Sequence, residues 1–242
     1  MNISTTVEAP FSFTKKQEYL EKMEIIKQKQ LTLLEQRKVQ NKEYADRTTL
    51  SLISDYKKEI SEEKRKEQES IKNNSFYIPK EPNFFLVIRI RSICNVPPKV
   101  KKILELFRLR RMNNAVLLKN NSSIRVMLQK VRNYICYGFI DIYMLRELIY
   151  KRGIGRINGK EVNISNEVLE DYFKGEIKCV EEVVNHLYGG SSMFKRVNNF
   201  LCPFTLSCPL KGFKGKKGKD YLQGGCAGFQ YDKIGELVER MI

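Results

Sequence analysis

Residues 84–119 constrain the fold more than any other segment, because they show first the period of a strand and then that of a helix. In residues 84–91 alternate side chains point to opposite faces of a strand, one face carrying Phe84, Leu86, Ile88 and Ile90 and the other Phe85, Val87, Arg89 and Arg91. Pro97 and Pro98 then open a helix. Its buried positions follow the helical spacing, with Val100, Ile103, Leu104 and Phe107 on one side. Residues 115–119 complete a strand–helix–strand unit.

The charge of this unit is almost all positive. Nine of the ten charged residues in 84–119 are cationic. Arg110 and Arg111 are expected at the C-terminal end of the helix, where its dipole favours cations. The whole chain carries a formal charge of +16, and residues 81–242 account for +13 of it. Solubility is a weaker explanation, since acidic residues serve solubility better. The charge therefore predicts a polyanionic partner, with nucleic acid as the main hypothesis.

The next elements extend the unit. Ser122 or Ser123 is expected to cap a second helix, whose buried stripe comprises Ile124, Met127, Leu128, Val131 and Ile135. A short third strand is expected at 137–140. The order βαβαβ, with both helices on one side of an antiparallel sheet, predicts an α+β fold with a ferredoxin-like core.

Two further regions flank this core. Residues 13–73 contain neither Pro nor Gly and are rich in Lys, Glu and Gln, which favours one or two long exposed helices. Pro79 and Pro82 mark a boundary. We therefore expect a helical arm at 1–80, the core at 81–162 and a helix- and loop-rich extension at 163–242. A self-pairing coiled coil through Leu20, Met23, Ile26 and Ile53, Tyr56, Ile60 is the alternative for the arm.

Two glycine-rich basic segments are candidate contacts for a phosphate backbone. GIGRINGK at 153–160 does not have the spacing of a triphosphate-binding loop, and Glu161 stands where that loop has Ser or Thr. Its glycines are expected to let the backbone approach a ligand. LKGFKGKKGKD at 210–220 is expected to be disordered alone and to order on RNA, with Phe213 stacking on a base or packing on a sugar.

Several classes of function are disfavoured. The six cysteines include no C-x-x-C pair, so no zinc site is predicted. His186 is the one histidine, so no Ser or Cys nucleophile has a second histidine to work with, and no catalytic constellation is predicted. The acidic pairs Glu170–Asp171 and Glu181–Glu182 are interpreted as solvated helix faces. No apolar run approaches the roughly 20 residues of a membrane span, and residues 1–13 do not have the pattern of a secretory leader. We expect no enzyme activity, cofactor, membrane or small-molecule substrate.

Three segments carry a family resemblance: FLVIRIRSICNVPPKVKKILELFRLRRMNNAVLLK (85–119), ELIYKRGIGRINGKEV (147–162) and FKRVNNFLCPFTLS (194–207). They resemble the eukaryotic L-seven branch of the universal ribosomal protein L-thirty family. The resemblance implies a structural role in the cytosolic large ribosomal subunit, with nucleolar transit during assembly. The implied partners are large-subunit rRNA and neighbouring large-subunit proteins. A related branch that acts in ribosome assembly is the alternative. Cys202 and Cys226 depart from the family pattern, which has Trp and an acidic residue there.

Phosphate contacts with little reading of base edges are the expected mode of binding. The predicted rRNA contacts are the cations of the basic unit, the glycine-rich loop and the extension, namely Arg89, Arg91, Lys99, Lys101, Lys102, Arg108, Arg110, Arg111, Lys119, Lys151, Arg152, Arg156, Lys160, Lys195, Arg196, Lys211, Lys214, Lys216, Lys217 and Lys219.

Overall fold

A computed structural model describes residues 11–92 and 94–242. The prediction about a leader, and the start of the predicted arm, therefore lie largely outside the described residues. The helices are α1 (Phe11–Lys72), α2 (Pro98–Leu106), α3 (Ser122–Val131), α4 (Ile142–Arg152), α5 (Asn166–Phe173), α6 (Val180–Tyr188), α7 (Phe194–Phe200) and α8 (Ile234–Glu239). The strands are β1 (Phe84–Arg89), β2 (Asn114–Lys119), β3 (Ile135–Gly138), β4 (Ile154–Ile157), β5 (Lys160–Asn163), β6 (Phe204–Thr205), β7 (Lys216–Asp220) and β8 (Gly225–Phe229).

Six strands form one mixed sheet in the order β6-β2-β1-β3-β8-β7. Strand β1 pairs antiparallel with both β2 and β3, whereas β8 runs parallel to β3 and to β7. The ferredoxin-like α+β prediction is confirmed. Strands from the extension add to both edges of the core sheet, so the sheet crosses the expected boundary at 162/163. The division of the chain into three domains stays a prediction.

Strand β1 is buried on both faces. Phe85 and Val87 pack with Leu104 of α2 and Leu128 of α3. The opposite face of the strand, represented by Leu86, packs with the helices of the extension. Burial of large apolar side chains on both faces contributes roughly 1.5–3 kcal/mol each. The alternation predicted for residues 84–90 is therefore the framework of two cores.

Three local predictions need correction. Helix α2 ends at Leu106, because Arg108 adopts a left-handed φ of 62° and its N–H bonds to Glu105 O. Arg110 and Arg111 consequently lie beyond the helix and not in its last turn. Ile135 belongs to β3 and not to the second helix. The N-cap position of that helix is Asn121 and not Ser122 or Ser123. The segment FKRVNNF, within the predicted helix- and loop-rich extension, is α7.

Within the described residues the arm contains one helix, α1, which lies against α5 and α6. Arg37 donates to Glu170 Oε2 at 2.8 Å and to Asp171 Oδ1 at 2.6 Å. Farther along, Tyr44 donates to Glu182 Oε1 at 2.6 Å. Glu170, Asp171 and Glu182 are thus docking sites for the arm, which corrects the interpretation of the acidic pairs as solvated faces.

The two apolar stretches of the arm behave differently. Tyr56 packs against the larger core and donates to Asn185 Oδ1 at 3.2 Å, so this part of the supposed coiled-coil seam is used within the chain. Leu20, Met23 and Ile26 remain exposed.

Candidate nucleic-acid interface

The glycine-rich loop is a two-stranded hairpin, β4–β5. Asn158 and Gly159 form its turn with φ values of 49° and 82°, the combination that a type I′ turn requires. A Cβ at Gly155 would lie 2.3 Å from the Phe200 ring. The close approach that this glycine allows is therefore to the protein's own core, which corrects the expectation of a ligand there. Arg156 and Lys160 are exposed on the hairpin.

Arg108 joins the end of α2 to α7 next to this hairpin. Its guanidinium donates to Leu201 O at 2.9 Å and to Asn198 O at 3.0 Å. Burial, with a further contribution from the nearby charge of Arg156, lowers the pKa of Arg108. The Cys202 N–H donates to Ile154 O at 2.8 Å, so α7 and the hairpin are also joined directly. The loop after α2, the hairpin and α7, which carries exposed Lys195, hence form one connected cationic surface.

Arg89 does not belong to this surface. Its side chain is 1% exposed and donates to Arg91 O at 2.9 Å and Leu109 O at 2.7 Å. Burial lowers the pKa of the guanidinium. The structure thus corrects the prediction for Arg89, whose charge holds the loop after α2 against the sheet. A charged side chain is rarely buried in this way unless it is paired or hydrogen-bonded.

A second group of predicted contacts lies around α2 and the ends of β1 and β2. Arg91 is exposed and its guanidinium carbon lies 5.2 Å from the Tyr134 ring centre. The remaining members, all exposed, are Lys99, Lys101, Lys102, Arg110, Arg111 and Lys119. None of them forms an ion pair with a described carboxylate, so their charge is available to a ligand.

Four predicted contacts are partly engaged within the protein. Lys151 pairs with Glu147 at 2.7 Å and Arg196 with Glu176 at 2.6 Å. Lys214 pairs with Glu236, and it lowers the pKa of that carboxyl. Arg152, half-buried, donates to Ser207 Oγ at 2.8 Å and to the main-chain oxygen of Ile242 at 2.6 Å. The three ion pairs are exposed, and such pairs contribute little stability and exchange partners readily.

The lysine-rich segment is ordered in the structure, contrary to expectation. Residues 216–220 form the edge strand β7, and their backbone pairs with β8 while the lysines Lys216, Lys217 and Lys219 stay exposed. Phe213 is half-buried against the larger core, and Lys217 Nζ lies 4.5 Å from its ring centre. Phe213 is therefore an anchor for the segment, whereas Lys211 is exposed in the turn before it.

Sequence reasoning missed cations on α3 and just beyond it. Arg125 and Lys130 are exposed on α3, and Arg132 follows the helix and pairs with Asp220. They occupy outward positions of the same helical pattern that identified the lysines of α2. That pattern was a sufficient signal for Arg125 and Lys130.

The described part of the chain does not support a metal site or a membrane-spanning helix. No group of three or more His, Cys, Asp or Glu side chains there is placed to hold a metal. No helix in those residues has the length and apolar character to cross a membrane.

Glu181 is buried and accepts from Arg146 Nε at 2.7 Å and from Tyr150 at 2.7 Å. Burial, with this hydrogen bond, raises the pKa of Tyr150 to about 12, so the cluster is a satisfied ion pair.

Comparison with known proteins agrees with this geometry. The family model "Ribosomal protein L30p/L7e" matches residues 85–135. The chain is 47% identical over 235 residues to "Large ribosomal subunit protein uL30" of Encephalitozoon cuniculi, covering 97% of this chain and 98% of that protein. It is 39% identical to uL30B of Schizosaccharomyces pombe over 69% of this chain and 68% of that protein, and 36% identical to uL30A over 79% and 78%. The chain belongs to the ribosomal protein L30p/L7e family.

Proposed function

We propose that this chain is a structural constituent of the large ribosomal subunit and binds large-subunit rRNA without catalysing a reaction. One observation carries the proposal beyond family membership. Of the twenty cations predicted from sequence, seventeen are exposed, and fourteen of these have no carboxylate partner among the described residues. A protein that left so much positive charge unpaired for solubility alone would gain little from it.

The mechanism is neutralisation of phosphates by side chains on a fixed scaffold. Each lysine or arginine that contacts a phosphate releases condensed counterions, which makes affinity strongly dependent on salt. The hairpin turn, the buried Arg89 and the Arg108 contacts fix the backbone beneath the exposed cations, so that little ordering is needed on binding. Such contacts set position and carry little sequence information.

The salt dependence of binding tests the lysine segment. In the full-length chain, Lys211, Lys214, Lys216, Lys217 and Lys219 are replaced by Gln, and affinity for a large-subunit rRNA fragment is measured between about 50 and 300 mM salt. The slope of log K against log salt should decrease by about 0.9 for each duplex phosphate that the variant no longer neutralises. A matched control replaces five exposed arm lysines, Lys57, Lys64, Lys66, Lys72 and Lys80, and changes the net charge equally. Equal slopes for the wild type and the 211–219 variant would remove this segment from the interface.

The cellular location follows from the same proposal. We place the protein in the cytosolic large subunit beside neighbouring ribosomal proteins, after passage through the nucleolus during assembly. Sedimentation of a tagged copy tests this, because a resident protein co-migrates with mature subunits and polysomes. Restriction to nuclear precursors would instead identify an assembly factor.

A further inference from the structure

An open cavity of about 240 Å³ lies beside α3, at the end of β3 and β8. Aromatic rings form much of its wall: Phe85, Tyr137, Phe139, Phe229 and Tyr231. The other lining residues are Arg125 and Gln129 of α3 and Glu81. The volume is below the roughly 300–1,000 Å³ of sites for drug-sized ligands, so the cavity suits one ring system.

The rings are fixed against one another. Phe85 and Phe139 stack with centroids 5.0 Å apart, and Tyr137 and Phe229 stack at 5.2 Å. Phe229 and Tyr231 lie 4.2 Å apart at an interplanar angle of 45°. Contacts of this kind stabilise particular ring orientations. The wall is therefore preorganised for a flat ligand.

Tyr231 is held at the mouth of the cavity by its backbone. Its φ is 52°, a left-handed conformation that is unfavourable for a large side chain. Its carbonyl accepts the Phe139 N–H at 3.0 Å, and a Cβ at Gly138 would lie 2.2 Å from that carbonyl oxygen. The Tyr231 side chain is 57% exposed in spite of this constraint. Backbone strain that the surrounding structure maintains is concentrated at functional sites in proteins.

The surroundings carry cations that can follow a phosphate backbone. Arg125 donates to Asn120 Oδ1 at 2.7 Å and pairs with Glu81, while Arg132 pairs with Asp220. Both partners of the Arg125–Glu81 pair are exposed, so Arg125 can turn to a phosphate at little cost. Asp220 is mostly buried, so its pair with Arg132 is costlier to break.

We propose that this cavity receives one unpaired nucleobase of the bound RNA, which stacks on the aromatic wall while Arg125 contacts the adjoining phosphate. The inference rests on the proposed rRNA binding and adds a contact to a base. Flat rings beside Arg125 favour a base over an apolar protein side chain, since a base brings both a π-face and a phosphate. Stacking tolerates any base, so no base preference is needed.

The chain contains no tryptophan, which permits a direct optical test. Tyr231→Trp places one indole at the mouth of the cavity, and Tyr143→Trp places one at a tyrosine of α4 that is 65% exposed. Each full-length variant is titrated with an RNA stem carrying a one-nucleotide bulge and with the fully paired stem. Binding is followed independently by anisotropy of labelled RNA. We expect the bulged stem to quench the indole at 231 more strongly than the paired stem does, and the indole at 143 equally with both.

A second pair of variants measures the contribution to affinity. Tyr231→Asn removes the ring with a residue that tolerates the left-handed conformation, and Tyr143→Asn is its matched control. The ratio of affinities for bulged over paired stem should fall by about 5- to 150-fold in Tyr231→Asn, the range for removal of one base stack, and stay unchanged in Tyr143→Asn.

The outcomes separate the two proposals. If no version of the protein binds either stem at low salt, the proposed function fails. If both stems bind but quench the indole at 231 equally, or if Tyr231→Asn keeps the wild-type ratio, the base-binding cavity is refuted and rRNA binding stands.

Discussion

The arm and the body of this protein are held by different interactions. In the body, β1 is buried on both faces and joins two apolar cores. The described part of the arm meets the body largely through polar side chains at the surface, and its donors include Arg37, Asn41, Tyr44 and Tyr56. Apolar burial stabilises by kilocalories per side chain, whereas exposed ion pairs contribute up to about 1 kcal/mol. We therefore expect the body to be the folding unit and the arm to be attached weakly to it.

The arm and the body also differ in net charge. Residues 1–80 carry a net charge of +3 and the body carries +13. Within the arm, cations such as Arg47 and Arg65 pair with carboxylates of the same helix. In the body, most predicted contacts have no such described partner. The region with the stable core is the region that presents charge, which suits rigid recognition of a phosphate backbone.

Removal of a core ring should have the largest effect. Phe200 is fully buried, packs against Phe173 with centroids 5.5 Å apart, and is the surface against which Gly155 of the hairpin rests. Phe200→Ala should lower the free energy of unfolding by about 3–5 kcal/mol, measured by urea denaturation. Phe76→Ala, at a side chain 99% exposed, should change it by less than about 0.5 kcal/mol. Similar decreases for the two variants would contradict the assignment of the core.

The strongly periodic parts of the body could be predicted from sequence. The alternation in β1 and the stripe of α2 are confirmed, because each depends on local period and on burial of one face. The end of α2 could not be predicted. Leu109 is drawn into the smaller core, and this requires Arg108 to adopt a conformation that local propensity disfavours. Tertiary packing outweighs propensity at that point.

The candidate interface could likewise be predicted only in part from the sequence. The exposed lysines of α2 followed from helical period, whereas burial of Arg89 depends on carbonyls of residues 109 and 110, whose position the sequence does not reveal. Strand β7 is a second example, because Lys and Gly are poor strand formers and only backbone pairing with β8 orders them. A turn signal was present at Asn158–Gly159, and it predicts a hairpin.

The attachment of the arm can be weakened without disturbing the core. Arg37→Ala removes the ion pairs with Glu170 and Asp171 at a half-exposed site, so docking should weaken by about 0.5–1 kcal/mol. Hydrogen exchange of arm amides in 31–45 should accelerate by a few fold, and the urea midpoint of the body should stay the same. Arg47→Ala, which breaks an ion pair within α1, is the control and should leave exchange at 31–45 nearly as in the wild type. A lower body midpoint in Arg37→Ala would show that arm and body unfold together.

Acid should weaken the same attachment. The hydrogen bonds from Arg37, and then from Asn41, lower the pKa of Glu170 from its ordinary value of 4.5. A carboxyl with a lowered pKa in the docked state stabilises docking above its ordinary pKa, and this contribution disappears as the pH falls through the lowered value. Energy transfer between dyes at Lys38→Cys and Cys208, with Cys94→Ser, should therefore decrease below about pH 4.5. In Glu170→Gln the arm should dock more weakly at neutral pH, and energy transfer should lose most of its dependence on pH. An acid transition of wild-type size in that variant would exclude Glu170 as the origin of the transition.

At Tyr56 the polar and apolar contacts of the arm with the body can be separated. The Tyr56 hydroxyl donates to Asn185 at 3.2 Å, and the ring meets Tyr188 edge-on with centroids 6.2 Å apart. Tyr56→Phe keeps the ring and removes one hydrogen bond, which should cost docking about 0.5–1 kcal/mol. Tyr56→Ala removes the ring as well and should release residues 50–60 several-fold further in hydrogen exchange. If the two variants behaved alike, the hydrogen bond alone would hold the arm at Tyr56. The attachment of the arm would then be polar at this position too, in contrast to the apolar core of the body.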